Sequence, residues 1–423
     1  MADGRLHVGE AQNRIVSQVK PLPGETVQLG SAGGRILYEP VYSTRTIPPQ
    51  DNSAMDGYAV RTADLAGASE TNPVALRLTA EIPAGVMPQK RLEAGETHRI
   101  FTGGIFPEGA DAVVIQENVE VSGGNPRFRQ SPRPGENVRR SGEDIKPGDL
   151  VFPAGHRIAS GSVALLALLG RTFVKVHRRP KVAIISTGDE LVEPDADTGG
   201  WKTVNSNAWA LKAALEAEGS EVTYGGIIPD QLEKIRDRVL ELRDSVDVVV
   251  STAGVSVGDY DLVHDALTQA GLELDFWKVK QRPGAPMTFG WLKGGAASKP
   301  FFGLPGNPVS CLVCYEMYAR PAIRRMKGER VVFPPLVQAK LDGTVKTKPG
   351  ITYFLRAVVS REGSGLVVSS AGIQSSAVVS ALARSNGLIV IGENEETPLP
   401  GQLVNVYVTD PGALDLAETS VMP

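Results

Sequence analysis

Between residues 181 and 327, short apolar runs alternate with segments of helical period. KVAIIS (181–186) is a continuous apolar run, which predicts a strand buried on both faces. From Asn205 to Glu218 the apolar residues recur at helical spacing, with Asn205 or Ser206 as cap and Gly219 as stop. VTYGGII predicts a second strand. Leu232, Ile235, Val239 and Leu242 mark one face of a second helix. DVVVST predicts a third strand, and the helix after it ends near Gly271. LDFWKVK, MTFGWL and FFGL predict further strands, and a long helix starts at about Pro308. Strands alternating with helices predict the α/β class, with a doubly wound, mostly parallel sheet.

The flanking regions have another pattern. Residues 44–146 are rich in Gly and Pro and carry short alternating runs such as ALRLTAEI and DAVVIQENVEV, which predict a small β domain. Residues 10–43 and 147–177 look mixed and helical, SGSVALLALLG ending in a glycine stop. Because they flank the small β domain, they are expected to pair as one discontinuous linking domain with 44–146 inserted. The α/β domain then spans 178–329. VQAKL, TYFLRAVVS, GLVVSS, GLIVI and QLVNVYVTD predict a C-terminal β domain over 330–412, barrel-like in character.

Composition narrows the function classes. With 423 residues the length prior is about three domains. A formal net charge of −4 argues against a general binder of nucleic acid or of anionic membrane, because neutralising phosphate takes a basic field. No apolar run approaches the ~20 residues that cross a bilayer, and the polar start MADGRLHVGEAQNR has no signal-peptide core. A cytoplasmic protein with no membrane partner is expected. Cys311 and Cys314 are the only cysteines, which fits a reducing compartment. They lie in the helical run VSCLVCYEMY and read as two buried small apolar residues, since one C-x-x-C supplies at most half a zinc site. The five histidines are isolated, so histidine-based zinc chemistry has no motif.

In an open α/β sheet, ligands bind outside the carboxyl ends of the strands. The loops there are Ser186-Thr187-Gly188-Asp189-Glu190, Pro229-Asp230, the stretch through Gly254, Ser256, Gly258, Asp259 and Asp261, and Pro305-Gly306-Asn307-Pro308. Glycines let backbone N–H groups approach an anion, and a helix N-terminus favours phosphate. Carboxylates beside them would repel phosphate unless a hard cation such as Mg²⁺ bridges the two. These residues therefore point to a phosphate-bearing ligand with Mg²⁺.

Gly254-Val255-Ser256-Val257-Gly258 also matches the Gly-x-Ser-x-Gly nucleophile elbow. That chemistry needs an acid and a histidine after the serine. The only later histidine is His264, eight residues on and in the predicted next helix. Ser256 is thus read as a holder of ligand. No Walker A sequence and no G-x-G-x-x-G occurs. A second polar cluster lies in the small β domain: Asp51 to Ala59 after Ile47-Pro48-Pro49, then Thr102-Gly103-Gly104, then Arg139-Arg140-Ser141-Gly142-Glu143-Asp144.

Together DNSAMDGYAVR (51–61), TGG with PEGADAVV (102–114), RRSGEDI (139–145), STGDEL (186–191), AGVSVGDYD (253–261) and GLPGNPVS (303–310) resemble the molybdopterin molybdenumtransferase family, which includes the catalytic domain of gephyrin. The resemblance runs in order along nearly the whole chain. It implies an elongated four-domain homodimer, which reacts molybdate with adenylated molybdopterin in the presence of Mg²⁺. AMP is released and molybdenum cofactor remains. It further implies a cleft between the α/β domain of one subunit and the β domains of the other. Gly254, Ser256, Gly258, Gly306 and Asn307 would cradle the pterin phosphate and nucleotide. Asp230 and Asp261 would hold Mg²⁺. Asp56, Thr102, Asp144 and Glu190 would line the reaction cleft as its chemical groups, with Arg139 and Gly188 on the substrate. Arg356 and Ser376 resemble the molybdate-contacting positions. Lys278 and Arg282, expected at the next strand's end, would screen charge. A molybdopterin adenylyltransferase and molybdoenzyme-specific chaperones are the implied partner proteins.

Three departures from the family pattern stand out. Ala253 replaces a first glycine. Arg282-Pro283-Gly284-Ala285-Pro286 replaces a Lys-Pro-Gly-Lys-Pro type of stretch, so Arg282 keeps a charge and Ala285 loses one. Gly104 replaces an alanine and is expected to be neutral. Two other readings stand beside the main one. A molybdopterin adenylyltransferase would share residues 181–327 but would not need the β domains. A non-catalytic scaffold on the same fold would not need Asp56, Asp144, Glu190, Asp230 and Asp261.

Overall fold

The computed structural model describes residues 4–252, 262–410 and 412. The chain forms two compact units, one of residues 28–33 and 39–174 and the other of the remainder.

In the smaller unit a four-stranded sheet runs in the order Arg77–Ile82, Glu96–Ile100, Gly57–Val60, Ala112–Ile115. Side chains alternate across it, as the period of two requires. Tyr58, Val60, Leu76, Ala112, Val114 and Phe128 pack on one side. Ala59, Ile82, Ile100 and Val113 pack on the other. The run DAVVIQENVEV does not form one strand. It breaks into Ala112–Ile115 and Val119–Ser122 around a 3₁₀ turn at Gln116–Asn118, where three polar residues interrupt the apolar pattern. The glycine-stopped helix is present as Ser160–Leu168.

The larger unit holds the α/β domain. Its elements are β1 (Lys181–Thr187), α1 (Ser206–Ala217), β2 (Glu221–Ile228), α2 (Leu232–Arg243), β3 (Val248–Thr252), α3 (Leu262–Gln269), β4 (Leu272–Phe276), β5 (Thr288–Leu292), β6 (Lys299–Leu304) and α4 (Pro308–Cys314). The sheet order is β2-β1-β3-β6-β5-β4. Strands β2, β1, β3 and β6 are mutually parallel, and β5 is antiparallel to both its neighbours. The sheet is doubly wound: α2 and α3 cover one face, and α1 and α4 the other. Apart from Lys181, every residue of β1 and β3 is buried, which is why KVAIIS and DVVVST read as apolar runs. Asn205 caps α1, its side chain accepting from the Ala208 N–H. α4 opens with Asn307 as cap and Pro308 at its first position, and continues through a π-helical turn at Tyr315–Ala319 into Arg320–Met326.

The run LDFWKVK was expected as one strand, but β4 stops at Phe276. Beyond it the backbone leaves the sheet. Val279 bridges Leu6, and Gln281–Arg282 pairs with Thr352 and Tyr353.

The C-terminal strands are β7 (Leu336–Asp342), β8 (Thr352–Glu362), β9 (Gly365–Ser370), β10 (Gly387–Ile391) and β11 (Leu403–Val408). They pair in the order β8-β9-β7-β11-β10, and β10 pairs back to β8. The result is a closed five-stranded barrel, which leaves its own strands no free edge. Ala339, Leu341, Leu355, Ala357, Val359, Val368, Ile389 and Val406 fill its interior. No helix among the described residues is long and apolar enough to cross a membrane.

Candidate functional site

The carboxyl ends of β1 and β3 carry hydroxyls in place of aliphatic side chains. Ser186 and Thr252 are both buried there, and a buried hydroxyl must find a partner. Their Oγ and Oγ1 atoms lie 2.7 Å apart in a hydrogen bond. Asn205 Nδ2 donates to Ser186 Oγ at 3.0 Å and to the Tyr224 hydroxyl at 2.9 Å. The Tyr224 hydroxyl donates to Glu193 Oε1 at 2.7 Å. This chain ties the ends of β1 and β3 and the middle of β2 to the cap of α1. Residues 253–261 follow Thr252 directly, so Gly254, Ser256, Gly258, Asp261 and the departure at Ala253 lie outside the described residues.

Beside this network is a cavity of about 390 Å³, lined by Glu190, Leu191, Thr203, Val204, Asn205, Ser206, Asn207, Thr252, Gly306, Asn307 and Pro308. The structure thus brings Glu190, Gly306 and Asn307 to one place. Asn207 Nδ2 donates to the Gly306 carbonyl at 2.7 Å, which holds that loop against α1. Its Oδ1 is buried without a partner, a state that disfavours the free protein unless a donor from a ligand or water fills it. Sequence reasoning missed Asn207, since only tertiary structure shows its unpaired oxygen. Gly188 adopts φ +142, and a Cβ there would lie 2.5 Å from Glu190 Oε2. Glycine is therefore required for Glu190 to fold back over the loop.

Asp230 is exposed after β2, and its N–H donates to Asp189 Oδ1 at 3.2 Å. No group of three or more acidic, histidine or cysteine side chains suited to a metal occurs among the described residues. The acids at this edge, Asp189, Glu190 and Asp230, are all oxygen donors on loops. That donor type fits a hard cation that keeps several waters, as Mg²⁺ does.

The cationic positions are arranged differently from expectation. Lys278 lies two residues past the end of β4, and its ammonium sits 3.7 Å from the centre of the Trp277 ring. Arg282 is exposed and belongs to the short strand paired with β8, away from the sheet's own strand ends. Lys278 thus stays near the expected strand end, while Arg282 departs from it because the chain leaves the sheet after Phe276. Arg356 is 0% exposed, on β8. Its Nη2 donates to the Ile373 carbonyl at 2.7 Å, while Nε and Nη1 are buried without partners. Burial pushes its pKa down. The backbone N–H and carbonyl of Arg356 are both bonded to the Gln374 side chain. The Ser376 carbonyl accepts from the Val309 N–H at 3.3 Å, which sets Ser376 against the first turn of α4. Cys311 and Cys314 are fully buried, and burial pushes both thiols up, so they are inert apolar fillers.

In the smaller unit the backbone gathers three motifs. Asn52–Ser53 pairs with Val138–Arg139 on one side. On the other, Ser53 N–H donates to Gly104 O, Gly103 N–H to Ser53 O, and Phe106 N–H to Asp51 O. Asp56 Oδ1 accepts from the Thr102 N–H at 2.7 Å and from its hydroxyl at 2.8 Å. The Thr102 backbone N–H, then its hydroxyl, hold the Asp56 carboxyl below its ordinary value. Asp51 accepts from Arg140 Nη1 at 2.6 Å and from Ser141 N–H at 2.7 Å. Arg139 is exposed and meets Asn52 in register. Asp144 is exposed, with its N–H on the Ile47 carbonyl at 3.2 Å, and no contact joins it to Asp56. Gly104 is less neutral than expected: a Cβ there would lie 2.7 Å from the Ile82 carbonyl.

Comparison with known proteins agrees with this architecture. Residues 6–170 match the MoeA N-terminal region (domains I and II), 183–325 a probable molybdopterin binding domain, and 338–409 the MoeA C-terminal region (domain IV). A molybdopterin molybdenumtransferase of Staphylococcus epidermidis is 34% identical over 410 residues, 97% of each chain. One from Nostoc sp. is 40% identical over 304 residues, covering 72% of this chain and 70% of the relative. The crystal structure of a molybdopterin biosynthesis MoeA protein from Pyrococcus horikosii superposes with a TM-score of 0.81 at 32% identity, covering 96% of this chain and 99% of that one. Fold and matches together define a class, multidomain proteins in which a molybdopterin-type α/β domain stands between a MoeA N-terminal region and a closed C-terminal barrel. Within it, the chain belongs to the molybdopterin molybdenumtransferase family and is a transferase of molybdenum cofactor biosynthesis.

Proposed function

We propose that the protein inserts molybdate into adenylated molybdopterin in a Mg²⁺-dependent reaction that releases AMP and leaves molybdenum cofactor. The observation that carries this reading is Arg356, a fully buried guanidinium with two unpaired donor atoms. A buried cation of this kind is disfavoured unless an anion completes it, and a tetrahedral oxyanion such as molybdate matches its fork of donors. Ser376, against the first turn of α4, and Arg282, on the strand paired to β8, would share that anion. Lys278 would add positive charge nearby.

The pterin phosphate and nucleotide are assigned to the cavity of Glu190, Asn207, Gly306 and Asn307, and Gly188, Gly254, Ser256 and Gly258 would serve the same ligand. The unpaired Asn207 Oδ1 would accept from an N–H of the substrate. Asp230 and Asp261 would hold Mg²⁺, which when bound screens the phosphate oxygens and lowers the barrier to displacement at phosphorus. Asp56, its carboxylate kept ionised by Thr102, would face the reacting groups together with Asp144 and Arg139. The proposed organisation is a linking domain of 10–43 and 147–177, an inserted β domain of 44–146, an α/β domain of 178–329 and a C-terminal domain of 330–412. The working form is a cytoplasmic homodimer that takes substrate from a molybdopterin adenylyltransferase and passes product to molybdoenzyme chaperones. Exposed apolar side chains on the smaller unit (Tyr42, Leu150, Leu168 and Phe173) are the kind of surface a second copy would cover.

Melting in the presence of substrate tests the reading. Adenylated molybdopterin with Mg²⁺ should raise the melting temperature, and EDTA should reduce the rise. An Asp261→Asn variant should fold normally and lose most activity. Full activity in that variant would refute the metal assignment. Ser256→Ala should weaken ligand binding but keep turnover; inactivation with binding intact would restore Ser256 as a nucleophile.

A further inference from the structure

The loop 282–286 is anchored from below by one buried amide. Gln281 is 2% exposed and packs against the helical stretch that continues α4. Its Nε2 donates to the Pro283 carbonyl at 3.0 Å and to the Gly284 carbonyl at 3.3 Å, and lies 3.5 Å from Cys314 Sγ. Its Oε1 accepts from the Tyr318 hydroxyl. Gly284 has φ +85, and a Cβ there would lie 2.4 Å from Cys314 Sγ, so the loop is pressed onto the helix. The backbone of the same residue continues the connection. Gln281 and Arg282 pair in register with Thr352 and Tyr353, and the Thr352 N–H donates to the Lys280 carbonyl at 2.9 Å. Arg356 is four residues further along that strand.

A primary amide in an apolar core destabilises the fold unless its donors and acceptor are used. Here both ends are used, and they join the loop on one side to Tyr318 on the other. Two of the amide's neighbours, Cys314 and Tyr318, belong to the buried apolar core, an environment that would accept a leucine of similar volume. Packing alone therefore does not call for glutamine at this position. What the amide supplies is direction. It fixes the two carbonyls that follow Arg282 and, through the strand pairing, the spacing from Arg282 to the Arg356 strand.

We infer that Gln281 is a positioning residue of the oxyanion site, setting the affinity for molybdate and leaving the turnover of bound substrate unchanged. This rests on the reading that Arg282 and Arg356 take molybdate. A site displaced by a fraction of an ångström loses affinity for a small rigid anion, while none of the residues that line the pterin cavity bonds to the Gln281 amide.

Gln281→Leu removes both ends of the amide. The variant should show a rise of about tenfold in the molybdate KM, with kcat and the KM for adenylated molybdopterin within about twofold. Titration calorimetry with molybdate alone should show a parallel loss of affinity. Tyr318→Phe removes only the hydroxyl that orients Oε1 and should raise the molybdate KM about threefold. It also carries the test if Gln281→Leu does not fold. A fall in kcat with an unchanged molybdate KM would reduce Gln281 to structural support and overturn the inference, as would no change in either variant. Failure of the parent reading is distinguishable, because wild-type protein would then release no AMP in response to molybdate.

Discussion

Asp56 and Thr102, 46 residues apart, meet through one carboxylate oxygen that accepts both the backbone N–H and the hydroxyl of the threonine. This contact joins two of the sequence motifs of the smaller unit. It also keeps Asp56 ionised to lower pH than a free aspartate.

Removing only the threonine hydroxyl tests that effect. With the folded pKa depressed, the ionised state is favoured and is lost as pH falls through the folded value. Thr102→Val keeps the backbone N–H bond and loses the hydroxyl bond, so the Asp56 pKa should rise part of the way to its ordinary value. Carboxyl NMR titration of Asp56 reads this directly. An unchanged titration would show that the hydroxyl does not contribute.

Arg356 should serve function at a cost to stability. Its buried guanidinium has Nε and Nη1 unpaired, so an apolar side chain of similar length relieves an uncompensated charge. Arg356→Met should melt a few degrees higher than wild type in the absence of ligands, and lose roughly 100-fold or more in molybdate-dependent turnover. A lower melting temperature would mean that the arginine is satisfied in the free protein.

Glu218 provides a prediction for stability against pH. Burial alone would raise its pKa, but the hydrogen bond from Arg324 and the charges of Arg320, Arg324 and Lys327 outweigh burial and bring it to about 2. Arg320 Nη2 and Arg324 Nη2 reach its Oε1 at 2.5 and 2.9 Å. A depressed carboxylate stabilises above its unfolded pKa, and the contribution is lost as pH falls from about 4.5 toward 2. Glu218→Gln should therefore cost on the order of 3 kcal/mol near neutral pH. Urea unfolding should show the gap closing as the buffer is taken below pH 4.5. A gap that does not depend on pH would contradict the charge account.

The α/β core was legible because buried parallel strands must be apolar throughout, and KVAIIS and DVVVST have no other way to be satisfied. Asn205 was legible as a helix cap, but its bonds to Ser186 and Tyr224 were not, since these depend on two strands meeting. The end of β4 was misread at LDFWKVK. Trp277 to Lys280 keep an apolar alternation, yet their partners are Leu6 and the barrel rather than the sheet. That change of partner moved Arg282 away from the expected strand end. Gln281 gave no signal at all: a lone glutamine beside Arg-Pro-Gly looks like a solvated loop residue, and only the fold shows it buried. Gly104 looked neutral for the same reason, its crowding by the Ile82 carbonyl being a tertiary contact.

Transfer driven by molybdate is measured most directly by AMP release. Purified protein would be given adenylated molybdopterin and Mg²⁺, with and without molybdate. AMP should appear at a rate that saturates with molybdate and is abolished by Arg356→Met. Tight binding of adenylated molybdopterin with no AMP release at any molybdate concentration would contradict the account and leave a binding protein built on a transferase fold.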